Sequence, residues 1–157
     1  MDPFRIGLIS DTHGVLRPQA LHALRDVRHI IHAGDVGTPE ILQQLAQIAP
    51  VTAVRGNNDQ AAWASVLPVS ITLVISDVTF HVLHDLKELD LEPPAMGFQV
   101  VISGHSHKPS INTKEGVLYV NPGSAGPRRF KLPVSVALLE MSGGCPRAWI
   151  EMLDLPG

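Results

Sequence analysis

Five apolar runs in this chain each break off into a cluster of residue types that bind metals. "LIS" leads into Asp11-Thr12-His13-Gly14, "IIHA" into Gly34-Asp35, and "TAVR" into Gly56-Asn57-Asn58-Asp59. "HVL" leads into His84-Asp85, and "VVIS" into Gly104-His105-Ser106-His107. Short apolar runs bounded by glycine and polar residues read as buried strands. Strands that deliver Asp, Asn or His at their C-terminal ends constrain the fold, because in α/β sheets those ends open into the crevice where ligands bind. The glycines beside these groups suit tight turns and close backbone approach.

The segments between the strands set the fold class. "RIGLIS" (5–10), "HIIHAG" (29–34) and "VTAV" (51–54) read as strands. "PQALHALR" (18–25) has helical spacing, with Pro18 suited to a first turn. "TPEILQQLAQIAP" (38–50) is the clearest helix: Thr38 as cap, Pro39 at its first position, Glu40 at the positive end, and Ile41, Leu42, Leu45 and Ile48 on one face. This βαβαβ beginning favours a parallel sheet. The pattern then turns β-rich. "SITLVI" and "VTFHVLH" flank Ser76-Asp77 as a hairpin, residues 86–98 read as a helix or loop ended by Pro93-Pro94, and "QVVISG" (99–104) is a buried strand. "SINTKEGVLYVN", "SVALLEM" and "RAWIEMLDL" are all β-like. The expected class is α/β, a four-layer α/β/β/α sandwich of two mixed β-sheets flanked by helices. A length of 157 residues with 45% hydrophobic content suits one domain, 1–157.

Composition excludes several functions. The formal net charge of -3 argues against a protein that grips nucleic-acid backbone, because such domains are usually strongly basic. It does not disfavour a small phosphate-ester substrate. A single Cys145 precludes an internal disulfide and fits a reducing compartment. The start, "MDPFRIGLIS", lacks the pattern of a signal peptide, and no run approaches the ~20 apolar residues of a membrane span. The expected setting is cytoplasmic, away from membranes, and a homo-oligomer is left open.

Taken singly, each polar cluster is also what an ordinary loop looks like; Asp-Thr-His and Gly-Asn-Asn-Asp both make turns. Taken together they gather imidazoles, carboxylates and an amide in numbers too large for one ion and suited to two. Mixed nitrogen and oxygen ligands favour Mn, Ni, Fe, Co or Zn over Ca. Two metals about 3.5–4 Å apart can clamp a phosphoryl group and generate hydroxide near neutral pH.

Asp11-x-His13, Gly34-Asp35, Gly56-Asn57-x-Asp59, His84 and Gly104-His105-Ser106-His107 resemble, in order and spacing, the motifs of the calcineurin-like metallophosphoesterase superfamily. The resemblance runs from about residue 5 to about residue 128. The short chain, "GNND" and "NPGS" (121–124) look like the small phosphodiesterase branch, which also includes a retromer subunit of the same fold. The resemblance implies that Asp11, His13 and His107 hold a first metal, that Asp35 bridges both, and that Asn57, His84 and His105 hold a second. It implies two divalent ions, Mn²⁺ first, with Ni²⁺, Fe²⁺ and Zn²⁺ as alternatives. It further implies hydrolysis of phosphodiesters by a metal-bridging hydroxide that attacks phosphorus in line.

Two positions depart from the family pattern. Asn58 stands where relatives commonly carry His after the motif Asn, and His84-Asp85-Leu86 replaces His-Gly-His. Both changes remove imidazoles that would protonate a leaving group; an amide has no proton to transfer at neutral pH. Asp35 and Asn58 are therefore the catalytic candidates. The competing expectation is a weakly catalytic or non-catalytic protein-interaction scaffold of the same fold. Asp59 reads either as support for Asn57 or as a helix cap. Arg55 and Arg128 are each weighed as a phosphate contact against an ordinary surface cation. His22, His29, His32 and His81 fall inside predicted elements and read as structural, and Cys145 as inert.

Overall fold

The computed structural model describes residues 2–129 and 131–155. Chain order runs β1 (Phe4–Ile9), α1 (Pro18–Ala23), β2 (His29–His32), α2 (Pro39–Ala46), β3 (Val51–Ala53), β4 (Ser70–Ile75) and β5 (Val78–Leu83). It continues with α3 (Pro93–Met96), β6 (Val100–Ile102), β7 (Ser110–Lys114), β8 (Val117–Asn121), β9 (Ser135–Ser142) and β10 (Cys145–Met152). Two 3-10 turns, Ala62–Val66 and Leu86–Glu88, complete the described elements.

The strands form two five-stranded sheets, ordered β10-β9-β1-β2-β3 and β4-β5-β6-β8-β7. In the first, β1, β2 and β3 are parallel, as the βαβαβ spacing requires, while β9 runs antiparallel to β1 and β10 to β9. In the second, β5, β6 and β8 are parallel and the antiparallel strands β4 and β7 form its edges. The expected hairpin turns at Ser76 and Asp77, both left-handed as a tight two-residue turn demands.

Each apolar cluster joins two layers. Ile6, Leu8, Ile31 and Leu139 meet Phe80, Val82, Ile102 and Val120 between the sheets. On the outer face of the first sheet, Ile9, Ile30, Val136 and Leu138 pack against Leu24, Ile41 and Leu45. A smaller cluster of Leu83, Phe98, Val101 and Val117 covers the outer face of the second. The four-layer α/β/β/α sandwich is thus present, with a thin outermost layer on the second sheet.

Two local expectations change. Pro93 and Pro94 open a helix rather than end one: they occupy the first turn of α3, where a missing N–H costs nothing, and left-handed Gly97 closes it. Thr38 occupies the cap position of α2, but its side chain makes no capping hydrogen bond.

Candidate metal centre

All seven candidate ligands lie just beyond the C-terminal ends of parallel strands. Asp11 and His13 follow β1, Asp35 follows β2 and Asn57 follows β3, all in the first sheet. His84 follows β5, and His105 and His107 follow β6, in the second. Face-to-face packing brings five of them together in two groups, Asp11–His13–His107 and Asp11–Asp35–His84, with ligand atoms within 4.8 Å in each. Asp11 Oδ1 lies 3.8 Å from His13 Nε2, 3.8 Å from His84 Nε2 and 3.4 Å from His107 Nε2. Asp35 Oδ2 lies 3.6 Å from His13 Nε2 and 3.2 Å from His84 Nε2. Both carboxylates therefore reach imidazoles of both groups. Asn57 and His105 sit at the exposed rim beside each other, with Asn57 Oδ1 3.2 Å from His105 Nδ1, and the His105 ring stands edge-on to His84.

The supporting contacts aim these side chains. Asp11 Oδ2 accepts from the Ser10 hydroxyl at 2.7 Å and the His105 N–H at 3.0 Å. Its other oxygen stays open. His84 Nδ1 lies 2.7 Å from the Ala33 carbonyl, which only accepts, so Nδ1 carries a proton and Nε2 faces the centre. Asp35 accepts at Oδ1 from the Asn58 N–H (2.9 Å) and at Oδ2 from the Asn58 amide (3.1 Å). Asn58 thus grips Asp35 with both its backbone and its side chain.

Asp11 Oδ1, His13 Nε2, His84 Nε2 and His107 Nδ1 are buried and have no hydrogen-bond partner among the described residues. Buried polar atoms are rarely left so, because an unmade bond costs ~1–3 kcal/mol. Four such atoms from four ligand residues fit cation binding. The backbone agrees. Among the described residues, eight non-glycine positions have positive φ; five are Asp11, His13, Asp35, His105 and His107. The others, Ser76, Asp77 and Glu115, lie in hairpin turns. Left-handed conformations in bulky residues cost of order 1–3 kcal/mol each and gather where function holds them.

Electrostatics follows from burial and neighbours. Burial alone would raise the Asp11 carboxyl, but the His107 imidazole, the Ser10 hydroxyl and the His84 charge hold it below the usual range. Asp35 is likewise pushed up by burial and pulled well down by His84 and the Asn58 N–H. Burial lowers His84, yet Asp35, Asp11 and the Ala33 carbonyl lift it above its ordinary value.

Two supports act on the loops around the centre and not on a candidate ligand side chain. Asp59, buried, accepts from the N–H groups of Val36, Gly37 and Gly56 at 2.9–3.1 Å. It neither orients the Asn57 side chain nor caps a helix; it staples the loop after β2 to the loop after β3. The two loops approach so closely that a Cβ on Gly56 would collide with the Asp35 backbone and carboxylate. His32, fully buried, takes the Gly34 N–H on Nδ1 at 3.1 Å and therefore donates from Nε2 to Thr12 Oγ1 at 3.0 Å. Thr12 in turn donates to the Val36 carbonyl at 2.7 Å. Burial pushes the His32 imidazole down to about 4 against the pull of Asp11 and Asp59. A buried histidine inside a strand gives no sequence signal of this task beyond its polarity.

A profile of the calcineurin-like phosphoesterase superfamily domain matches residues 4–144. The chain belongs to the calcineurin-like phosphoesterase superfamily. Calcineurin-like phosphoesterases use divalent metals, which agrees with the donor set above. This chain is 37% identical over 150 residues to a probable metallophosphoesterase of Methanothermobacter thermautotrophicus, covering 88% of this chain and 86% of that one. The solved structure of an archaeal phosphodiesterase superposes with a TM-score of 0.77 at 25% identity, covering 94% of this chain and 99% of that one. Vacuolar protein sorting 29 from Cryptosporidium parvum superposes at 0.76 with 18% identity, over 98% and 99% of the two chains, a likeness of fold. As in this superfamily at large, the chain is a phosphoesterase by kinship. No helix among the described residues is long and apolar enough to cross a membrane.

Proposed function

We propose that this chain is a dinuclear metal-dependent phosphodiesterase acting on a small phosphate-ester substrate. Asp11, His13 and His107 would hold one ion, Asn57, His84 and His105 the other, and Asp35 would serve both. Mn²⁺ is the ion we expect. The observation that carries this reading is the gathering of Asp11, His13, Asp35, His84 and His107 from both sheets, four of them with a buried ligand-type atom that has no hydrogen-bond partner among the described residues. When bound, two divalent cations supply charge for the phosphoryl oxygens and acidify a water molecule.

The chain's own residues set the rest. Asp11 and Asp35 are the only two carboxylates among the seven ligands, so they leave a positive surplus that attracts a phosphate ester to a protein negative overall. Asn58 holds Asp35 through both oxygens and has no proton to give a leaving group. Esters with low-pKa leaving groups are the favoured substrates.

Hydrolysis of bis-p-nitrophenyl phosphate with added Mn²⁺ tests this. Wild type turns the diester over, and Asp35→Asn loses more than about 100-fold, beyond what loss of an outer supporting contact costs. Equal rates would place catalysis away from Asp35, and no turnover in either protein would favour an interaction scaffold; either result overturns the reading.

A further inference from the structure

Two clefts flank the centre, divided by Asp85, and they differ in charge. One, of about 270 Å³, reaches Asn57 and His84 and sets Arg55 against Asp85, Glu88 and Asp90. The other, of about 600 Å³, starts at His105 and runs along the β7–β8 end of the second sheet. Besides Asp85, its charged side chains are the cations Lys87 and Arg129, both exposed. Neutral hydrogen-bonding groups line it too, among them Asn112, Tyr119 and Ser110. Asp85 is partly occupied, since it accepts from the Lys87 N–H at 3.1 Å and faces His105 Nε2 at 3.7 Å. The cation in this cleft is Arg129 and not Arg128, which does not line it.

An anion is repelled by three carboxylates against one cation and welcomed by two cations against one engaged carboxylate. We propose that the larger cleft receives one arm of the diester and that Lys87 and Arg129 bind a second phosphate carried on that arm. The substrate class is thereby narrowed to phosphodiesters bearing a further phosphate, with the half-buried Tyr119 ring beside the organic portion. This rests on the phosphodiesterase reading above.

A matched pair of esters isolates the second phosphate: the p-nitrophenyl ester of thymidine 5′-phosphate, with and without a 3′-phosphate. With Mn²⁺-loaded protein, the 3′-phosphate lowers KM by about tenfold in wild type, the scale of one or two charge-assisted contacts. That preference disappears in Lys87→Ala/Arg129→Ala and reverses in Lys87→Glu/Arg129→Glu. It persists in Arg55→Ala, whose cation lies in the other cleft. Calorimetry with thymidine 3′,5′-bisphosphate against thymidine 5′-monophosphate reads the same contrast without turnover. No preference in wild type by either measure overturns the proposal, as does a preference abolished by Arg55→Ala and untouched by the double variant. If wild type hydrolyses neither ester, the phosphodiesterase reading fails, and the calorimetric contrast still decides what the cleft binds.

Discussion

Asn58 stands outside the candidate ligand set, yet both oxygens of Asp35 accept hydrogen bonds from it. Asn58→Ala removes the side-chain bond and keeps the backbone one. Mn²⁺ affinity should then weaken by about 10–100-fold, the usual cost of losing a partner behind a metal ligand; calorimetric titration measures it, and unchanged affinity would show the grip to be incidental. His32 supplies a pH signature. Its imidazole is neutral in the fold down to about 4, while in the unfolded chain it protonates near 6.5. The unfolded state thus binds the extra proton between these values, so stability is lost as pH drops through this window and is fully present above it. His32→Gln, which does not titrate, should flatten the pH 4–6.5 slope of unfolding free energy by close to one proton in metal-free protein, read by urea denaturation. The ligand residue types are legible in the sequence because each ends an apolar run. The work of His32 is not, because its partners are a backbone N–H and a hydroxyl 20 residues away.

At the scale of elements, the strands and their order along the chain are readable from apolar runs and turn residues, and so is the shared edge of the parallel strands. What escapes is how neighbouring loops fasten to each other. The loops after β2 and β3 depend on Asp59, which reaches backbone groups as far as 23 residues from itself in sequence. Nothing in "GNND" distinguishes such a staple from a cap, because its acceptors are needed by backbone donors that carry no residue-type signal. Asp59→Ala strands three buried or part-buried N–H groups and should destabilise the fold by about 3 kcal/mol or more, seen as a lower urea midpoint at an unchanged m-value. Asp59→Asn retains one acceptor oxygen and should recover part of that loss. Equal stability of Asp59→Ala and wild type would mean that water replaces the carboxylate. The covering of the second sheet is the other illegible feature: "EPPAMG" satisfies both a helix stop and a four-residue helix start, and only the packing of Phe98 and its neighbours selects the latter.

Across the whole molecule, the candidate centre draws Asp11, His13, Asp35 and Asn57 from one sheet and His84, His105 and His107 from the other. Cations bound there would therefore tie the two sheets together. Free metal at about 100 times its dissociation constant stabilises the fold by about 2.7 kcal/mol, which for a chain of this size raises the melting temperature by roughly 5–10 °C. Chelation with EDTA should lower the melting temperature by that amount in wild type and by far less in Asp35→Asn; equal shifts would place metal binding elsewhere. The sheet order carries another consequence. β1, which leads into the candidate ligands Asp11 and His13, is flanked on one side by β9, so this central strand waits for the much later residues 135–142 to arrive. The candidate ligand set is complete in the chain at His107, before residues 135–142 are made. Until β9 docks on β1, those histidines and carboxylates would lack the framework that groups them. Seating the β9–β10 hairpin is then the step that would turn a string of donors into a site of fixed spacing.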